Sequence, residues 1–176
     1  MPYDLFMIRD LILPGAAFTL CLLALSAATE NAAVPYPEGY RSWALLHGSL
    51  IGPKSGSFNP KPCEKPCSGG IFYFYANEKA MEGFRGGKFA DGSIIADEVL
   101  ETWGDDKGNA KEGPRRGVGV MVKDSKQYSA TGGWGFGKFT GDSKIEDATP
   151  AGRKACFTCH IPKKDRDYVI TEYRER

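Results

Sequence analysis

Close to its C-terminus the chain places Cys156 and Cys159 two residues apart, with His160 directly after the second thiol. Three chemistries use such a cluster: a redox dithiol, one corner of a metal site, or the attachment point of a c-type haem. A redox pair sits at a strand-to-helix junction and has no use for the adjacent imidazole. A zinc site needs two further ligands, and the chain holds one other histidine, His47. In the haem arrangement the two thiols add to the vinyl groups and the neighbouring histidine is held where it can ligate iron. The cluster therefore predicts one covalently bound haem c, with Cys156 and Cys159 as thioethers and His160 as the proximal ligand.

The opposite face of the iron is less well specified. Electron-transfer cytochromes take a methionine there from downstream of the haem motif, and no methionine follows His160. Upstream stand Met81 in an expected helix, Met121 in the apolar run Val-Gly-Val-Met-Val, and His47 in an expected helical segment. Methionines in such settings usually fill core space, and a histidine there serves equally as a hydrogen-bonded structural residue. The expectation is a five-coordinate iron with one open face.

The remaining cysteines point to the compartment. Leu11 to Ala27 is almost wholly apolar or small, Arg9 is the only basic residue ahead of it, and Ser26 and Ala28 frame a small-residue cleavage site. That pattern reads as a secretory signal peptide over residues 1–28, followed by a single domain over 29–176. The alternative is an uncleaved anchor, but the run contains Pro14 and Gly15 and falls short of the roughly 20 residues that span a bilayer. Export to the periplasm would leave Cys63 and Cys67 as a pair in an oxidising environment, where a disulfide across the tight loop is preferred over metal binding. With 23 Lys and Arg against 22 Asp and Glu, no broad basic surface is available for nucleic acid.

The 22 glycines and 11 prolines break the apolar positions into short runs, which argues against a helical bundle. Strands are expected at Ile71 to Ala76, Ser93 to Trp103, Gly117 to Asp124 and Gly133 to Phe139, with a further one over the terminal Asp-Tyr-Val-Ile-Thr-Glu-Tyr-Arg. Helices are expected around Tyr40 to His47 and from an Asn77 cap to about Arg85. Gly52 to Gly70 and Gly104 to Pro114 read as loops. The fold class is mainly β (α+β): an antiparallel sheet with a few short helices to one side and the haem attached near the C-terminus.

Several stretches together resemble the cytochrome P-460 and cytochrome c′-beta family of exported mono-haem proteins. They are Tyr-Arg-Ser-Trp at Tyr40, Gly-Gly-Ile-Phe-Tyr-Phe-Tyr-Ala-Asn at Gly69, Gly-Lys-Phe-Ala-Asp-Gly-Ser-Ile-Ile at Gly87, the segments beginning at Glu112 and Thr131, and the haem segment from Ala155. The resemblance implies a mostly β fold, a homodimer and haem near the C-terminus. It also separates two functions. Members similar to cytochrome P-460 cross-link the haem to a lysine and oxidise hydroxylamine with a distal arginine and glutamate. The cytochrome c′-beta members lack the cross-link and bind gases such as nitric oxide beneath phenylalanines. An alignment with a one-residue gap after Asn77 puts the arginine position on Phe72, the lysine on Asp97 and the glutamate on Gly119. Lys88 lies nearby but out of strand register for the cross-link.

The resemblance thus implies a distal pocket of Phe72, Phe74 and Asp97. Side-chain alternation puts the two phenylalanines on one strand face, and Phe72 reads either as ligand cap or as plain core. Asp97 is either a buried carboxylate with a raised pKa or, as preferred, a solvated residue at the pocket mouth. Lys163, Lys164 and Arg166 read as a solvated charged turn or as partners of a haem propionate, and Arg115 and Arg116 invite the same two readings. The function expected is a haem protein that binds nitric oxide or a similar small ligand at an open face and transfers electrons to an unspecified redox partner. The alternatives are an enzyme oxidising hydroxylamine or peroxide with Asp97 as weak catalytic candidate, and a six-coordinate electron-transfer cytochrome.

Overall fold

The computed structural model describes residues 32–56 and 63–174; the expected signal peptide lies outside them. Five strands, β1 (Ala44–Ile51), β2 (Cys67–Ala76), β3 (Ile94–Gly104), β4 (Ala110–Lys123) and β5 (Trp134–Thr140), form one antiparallel sheet in sequential order. Helix α1 (Glu78–Gly86) links β2 to β3, and α2 (Pro150–His160) follows β5. The mainly β architecture expected from the sequence is the one observed.

Alternation along the strands builds two cores, one on each face. One face carries Leu46, Ile95, Met121, Trp134 and Phe136, and is packed by α1 and by residues of α2 and the C-terminal tail. The other carries Ala96, Val118, Val120 and Phe139, and is covered by the segment preceding β1 through Val34, Tyr36 and Tyr40. Trp134 is fully buried and Phe136 is 4% exposed, so each contributes roughly 2–3 kcal/mol of apolar burial. The α1 cap is as expected: the Asn77 side chain accepts from Ala80 N at 2.9 Å, and it also accepts from Ile94 N, tying the helix start to β3.

Three expectations are corrected. His47 lies in β1, not in a helix; the helical part of that segment is a short 3₁₀ turn over Tyr40–Ser42. Gly48 weakens a helix, and pairing with β2 from Ala44↔Ala76 to Ile51↔Gly70 overrides local preference. The supposed loops are also shorter, because β2 starts at Cys67 and β4 at Ala110. Asp105 accepts from the backbone of both Lys107 and Asn109, which confines the β3–β4 reversal to a tight side-chain-stabilised turn. Finally, the terminal segment makes no strand among the described residues: Ile161–Arg166 is a 3₁₀ turn and the tail beyond it is irregular.

Candidate functional site

Helix α2 starts at a Thr149 cap, whose hydroxyl accepts from Gly152 N at 3.1 Å, with Pro150 in the first turn where its missing N–H costs nothing. An ion pair from Arg153 to Glu146, 2.6 Å long and largely buried, fixes the helix to the chain that enters it. Positions 156, 159 and 160 then fall on neighbouring parts of one helical surface. Cys156 and Cys159 are free thiols, both exposed. Phe157 turns inward and packs near Phe136 and Tyr168. Partial desolvation, with the Asp97 charge next, pushes the Cys156 thiol above its ordinary value.

His160 is held from one side. Its Nδ1 lies 2.7 Å from the Tyr168 carbonyl oxygen; a carbonyl only accepts, so Nδ1 carries the proton and Nε2 keeps its lone pair. Burial lowers the pKa of the imidazole and favours this neutral form. The carbonyl is presented by a left-handed reversal at Asp167 (φ 51°) and Tyr168 (φ 64°). That reversal is pinned three ways. Trp134 Nε1 donates to Asp167 O at 2.8 Å, Tyr168 N donates to Lys163 O at 2.7 Å, and Lys123 Nζ pairs with Asp167 Oδ1 at 2.6 Å. Gly132 permits the arrangement, since a Cβ there would stand 2.2 Å from the Tyr168 ring.

A cavity of about 770 Å³ opens between this helix, the tail and the sheet. Cys156 and His160 border it on one side; His47, Phe74, Asp97 and Gly119 line the sheet side. The strand register explains the lining. His47 pairs with Phe74, Phe74 with Asp97, and Asp97 with Gly119, a single row across four strands. Phe72 stands behind this row, stacked on Phe74 at 5.8 Å and 18° without lining the cavity. Phe74, the second of the expected pair, is therefore the one that meets the space.

Asp97 lines the sheet side of the cavity and is partly exposed. Its carboxylate lies over Gly119, so close that a Cβ on Gly119 would stand 2.1 Å from Oδ1. Burial raises its pKa to about 6, and no side chain among the described residues pairs with it. Arg115 reaches Tyr40 and Asp142 on the far face of the sheet, and Arg116 pairs with Glu101. Neither lines the cavity, nor do Lys163, Lys164 or Arg166, the last of which pairs with Glu172. The cation at the rim is Arg174. Met81 is packed in the core, whereas Met121 borders the cavity next to Phe136, which itself contacts His160. Lys88 is exposed and off the cavity.

Cys63 and Cys67 are joined by a disulfide, which removes them as metal ligands; no cluster of three or more metal-ligating side chains occurs among the described residues. The Cys156 thiol and an imidazole with an unencumbered Nε2 border the cavity, the exposed Cys159 thiol stands about one helical turn beyond Cys156, and with Arg174 at the rim the set fits a covalently attached haem. Sequence reasoning identified these three residues but missed the helix that carries them, the Tyr168 carbonyl and the Lys123–Asp167 pair. The positively charged and aromatic residues involved lie far apart in the chain, and no local pattern links them.

A model of the cytochrome P460 family matches residues 37–171. No curated protein matches the chain.

Proposed function

The chain belongs to the cytochrome P460 family, and on that premise we propose that it is a periplasmic mono-haem c protein that binds nitric oxide or a similar small neutral ligand and exchanges electrons with a partner. Membership implies a haem cytochrome with haem c, and proteins of this family are typically periplasmic. In this reading Cys156 and Cys159 hold the porphyrin and Nε2 of His160 holds the iron. Haem bound there would supply an iron centre able to take up a small exogenous molecule, with His160 as its protein ligand.

The observation that carries the ligand-binding reading is the sheet side of the cavity, where Phe74 stands between His47 and Asp97, across the space from the helix that bears His160. On the sheet side Phe74, backed by Phe72, presents an apolar surface that favours a small neutral ligand over a hydrated ion. Arg174 at the rim is suited to a haem propionate. The Cys63–Cys67 disulfide supports an oxidising compartment, with a signal peptide removed near Ala28. Self-association into a homodimer completes the reading, and the edge strand β1, with Leu50 81% exposed, is a surface available to it.

The optical spectrum of the purified ferrous protein tests this directly. High-spin bands that shift on adding nitric oxide are expected, whereas sharp low-spin bands unaffected by the gas would reject it. Phe74→Ala should alter gas association and dissociation rates more than Phe72→Ala.

A second reading is favoured by Asp97. A carboxyl that titrates near pH 6 inside the cavity is suited to accept protons released when hydroxylamine is oxidised. Turnover of hydroxylamine that is lost in Asp97→Asn would support it, and its absence in the wild-type protein would dismiss it.

A further inference from the structure

We infer that His47 is the hydrogen-bond donor to the small ligand in the haem pocket, so that the cavity recognises diatomics that gain electron density on binding rather than every apolar gas. This rests on the gas-binding reading above.

The pairing of β1 with β2 contains a defect. Between Leu45 and His47 the β1–β2 register shifts, so that two residues of β1 stand opposite one of β2. In an unbroken strand Leu46 and His47 would point to opposite faces. The bulge lets both border the same cavity, Leu46 in its core wall and His47 in its lining. Bulges re-aim side chains in this way next to functional sites. Ser49 follows His47 on the same face.

The imidazole is positioned but has no polar partner. Its ring rests on that of Phe74, with centroids 4.7 Å apart and planes tilted by 33°, and no described residue hydrogen-bonds either ring nitrogen. A histidine half-buried in an apolar cavity needs a partner for its N–H once the space is filled, and a ligand or its companion water is the group at hand. The rest of the row cannot replace it. Phe74 has no donor, Gly119 no side chain, and ionised Asp97 only accepts.

Placement favours donation over direct coordination of the metal. His160 stands against Phe136 of β5, whereas His47 belongs to β1, the opposite edge of the sheet. The two imidazoles thus reach the shared cavity from different elements, His160 from α2 and His47 from β1. Bound nitric oxide and carbon monoxide accept negative charge from ferrous iron to different degrees, and an N–H nearby stabilises the more polarised adduct.

The test compares the haem-loaded wild type with His47→Leu and His47→Gln, using carbon monoxide and nitric oxide as probes. In the Leu variant the C–O stretching frequency should rise, and the affinity for nitric oxide should fall roughly 3- to 10-fold relative to that for carbon monoxide. The Gln variant, whose amide still donates, should recover part of both. Identical C–O frequencies in wild type and Leu overturn the inference. So does a low-spin wild-type spectrum that turns high-spin in the Leu variant, since His47 would then be an iron ligand. A wild type that takes up neither gas rejects the gas-binding reading itself, and the role of His47 falls with it.

Discussion

Strand β3 carries two consecutive carboxylates, Asp97 and Glu98, which alternation sends to opposite faces of the same sheet. On the face away from the cavity Glu98 is 1% exposed, and it is fully answered. It accepts from the Tyr40 hydroxyl at 2.7 Å and from Arg41, with Arg115 3.5 Å away. Burial of Tyr40, and after it the Glu98 carboxylate, hold the Tyr40 hydroxyl well above its ordinary pKa. On the cavity face Asp97 has no such partner, and burial alone lifts it to about 6. Two neighbouring residues of nearly identical chemistry thus have different uses: one closes a core, and the other is left available to whatever fills the cavity.

The contrast is most open to attack by deletion of the satisfied member. Glu98→Ala leaves Arg115, 14% exposed, and the Tyr40 hydroxyl without their common partner. It should lower unfolding free energy by about 3–5 kcal/mol in urea titrations. A loss no larger than that caused by Asp97→Ala would break the comparison.

Next in size is the pH dependence of Asp97→Asn. The folded-state pKa of Asp97, about 6, lies above its ordinary value of 3.8, so the native state binds the proton more tightly than the unfolded chain. Wild-type stability should therefore fall relative to the Asn variant as pH rises from about 4 to about 6. The two curves should meet below that window and separate by on the order of 2–3 kcal/mol above it. Parallel curves throughout would show that the carboxylate is solvated after all.

Gly119→Ala sharpens the same point from below. The added Cβ drives the Asp97 carboxylate off the strand, and a loss of about 1–3 kcal/mol is expected. Stability restored by the double variant Gly119→Ala with Asp97→Gly would trace the loss to that one contact. The smallest effect should come from Arg41→Ala. Its side chain is 61% exposed, so solvent screens the pair, and a change of no more than about 1 kcal/mol, shrinking further in high salt, is expected.

The difference between the faces also shows which parts of the molecule were legible beforehand. The proximity of Cys156, Cys159 and His160 was, because they fall within one short stretch and a helix of any placement would keep them together. The strands β2, β3 and β5 were, because their glycine punctuation and β-branched or aromatic runs are local signals. The Asn77 cap was equally local, a side chain acting on the backbone three residues on. The first strand was not: Ser-Trp-Ala-Leu-Leu-His carries helix-forming residues, and only pairing with β2 makes it a strand. Nor was the start of β4, where hairpin pairing to β3 extends order into residues 110–116 that look like loop.

What the sequence determined alone is therefore the grouping of two thiols and an imidazole, whose spacing is written along the chain, together with the sheet's class. What tertiary structure decided is the environment of each group. The bulge in β1 turns His47 into the cavity, Asp97 lies above a glycine contributed by the next strand, and a reversal eight residues beyond His160 hands its carbonyl back to Nδ1. These contacts join residues from separate strands and turns. Local patterns report what a side chain can do, whereas desolvation and hydrogen bonding depend on what long-range packing sets beside it.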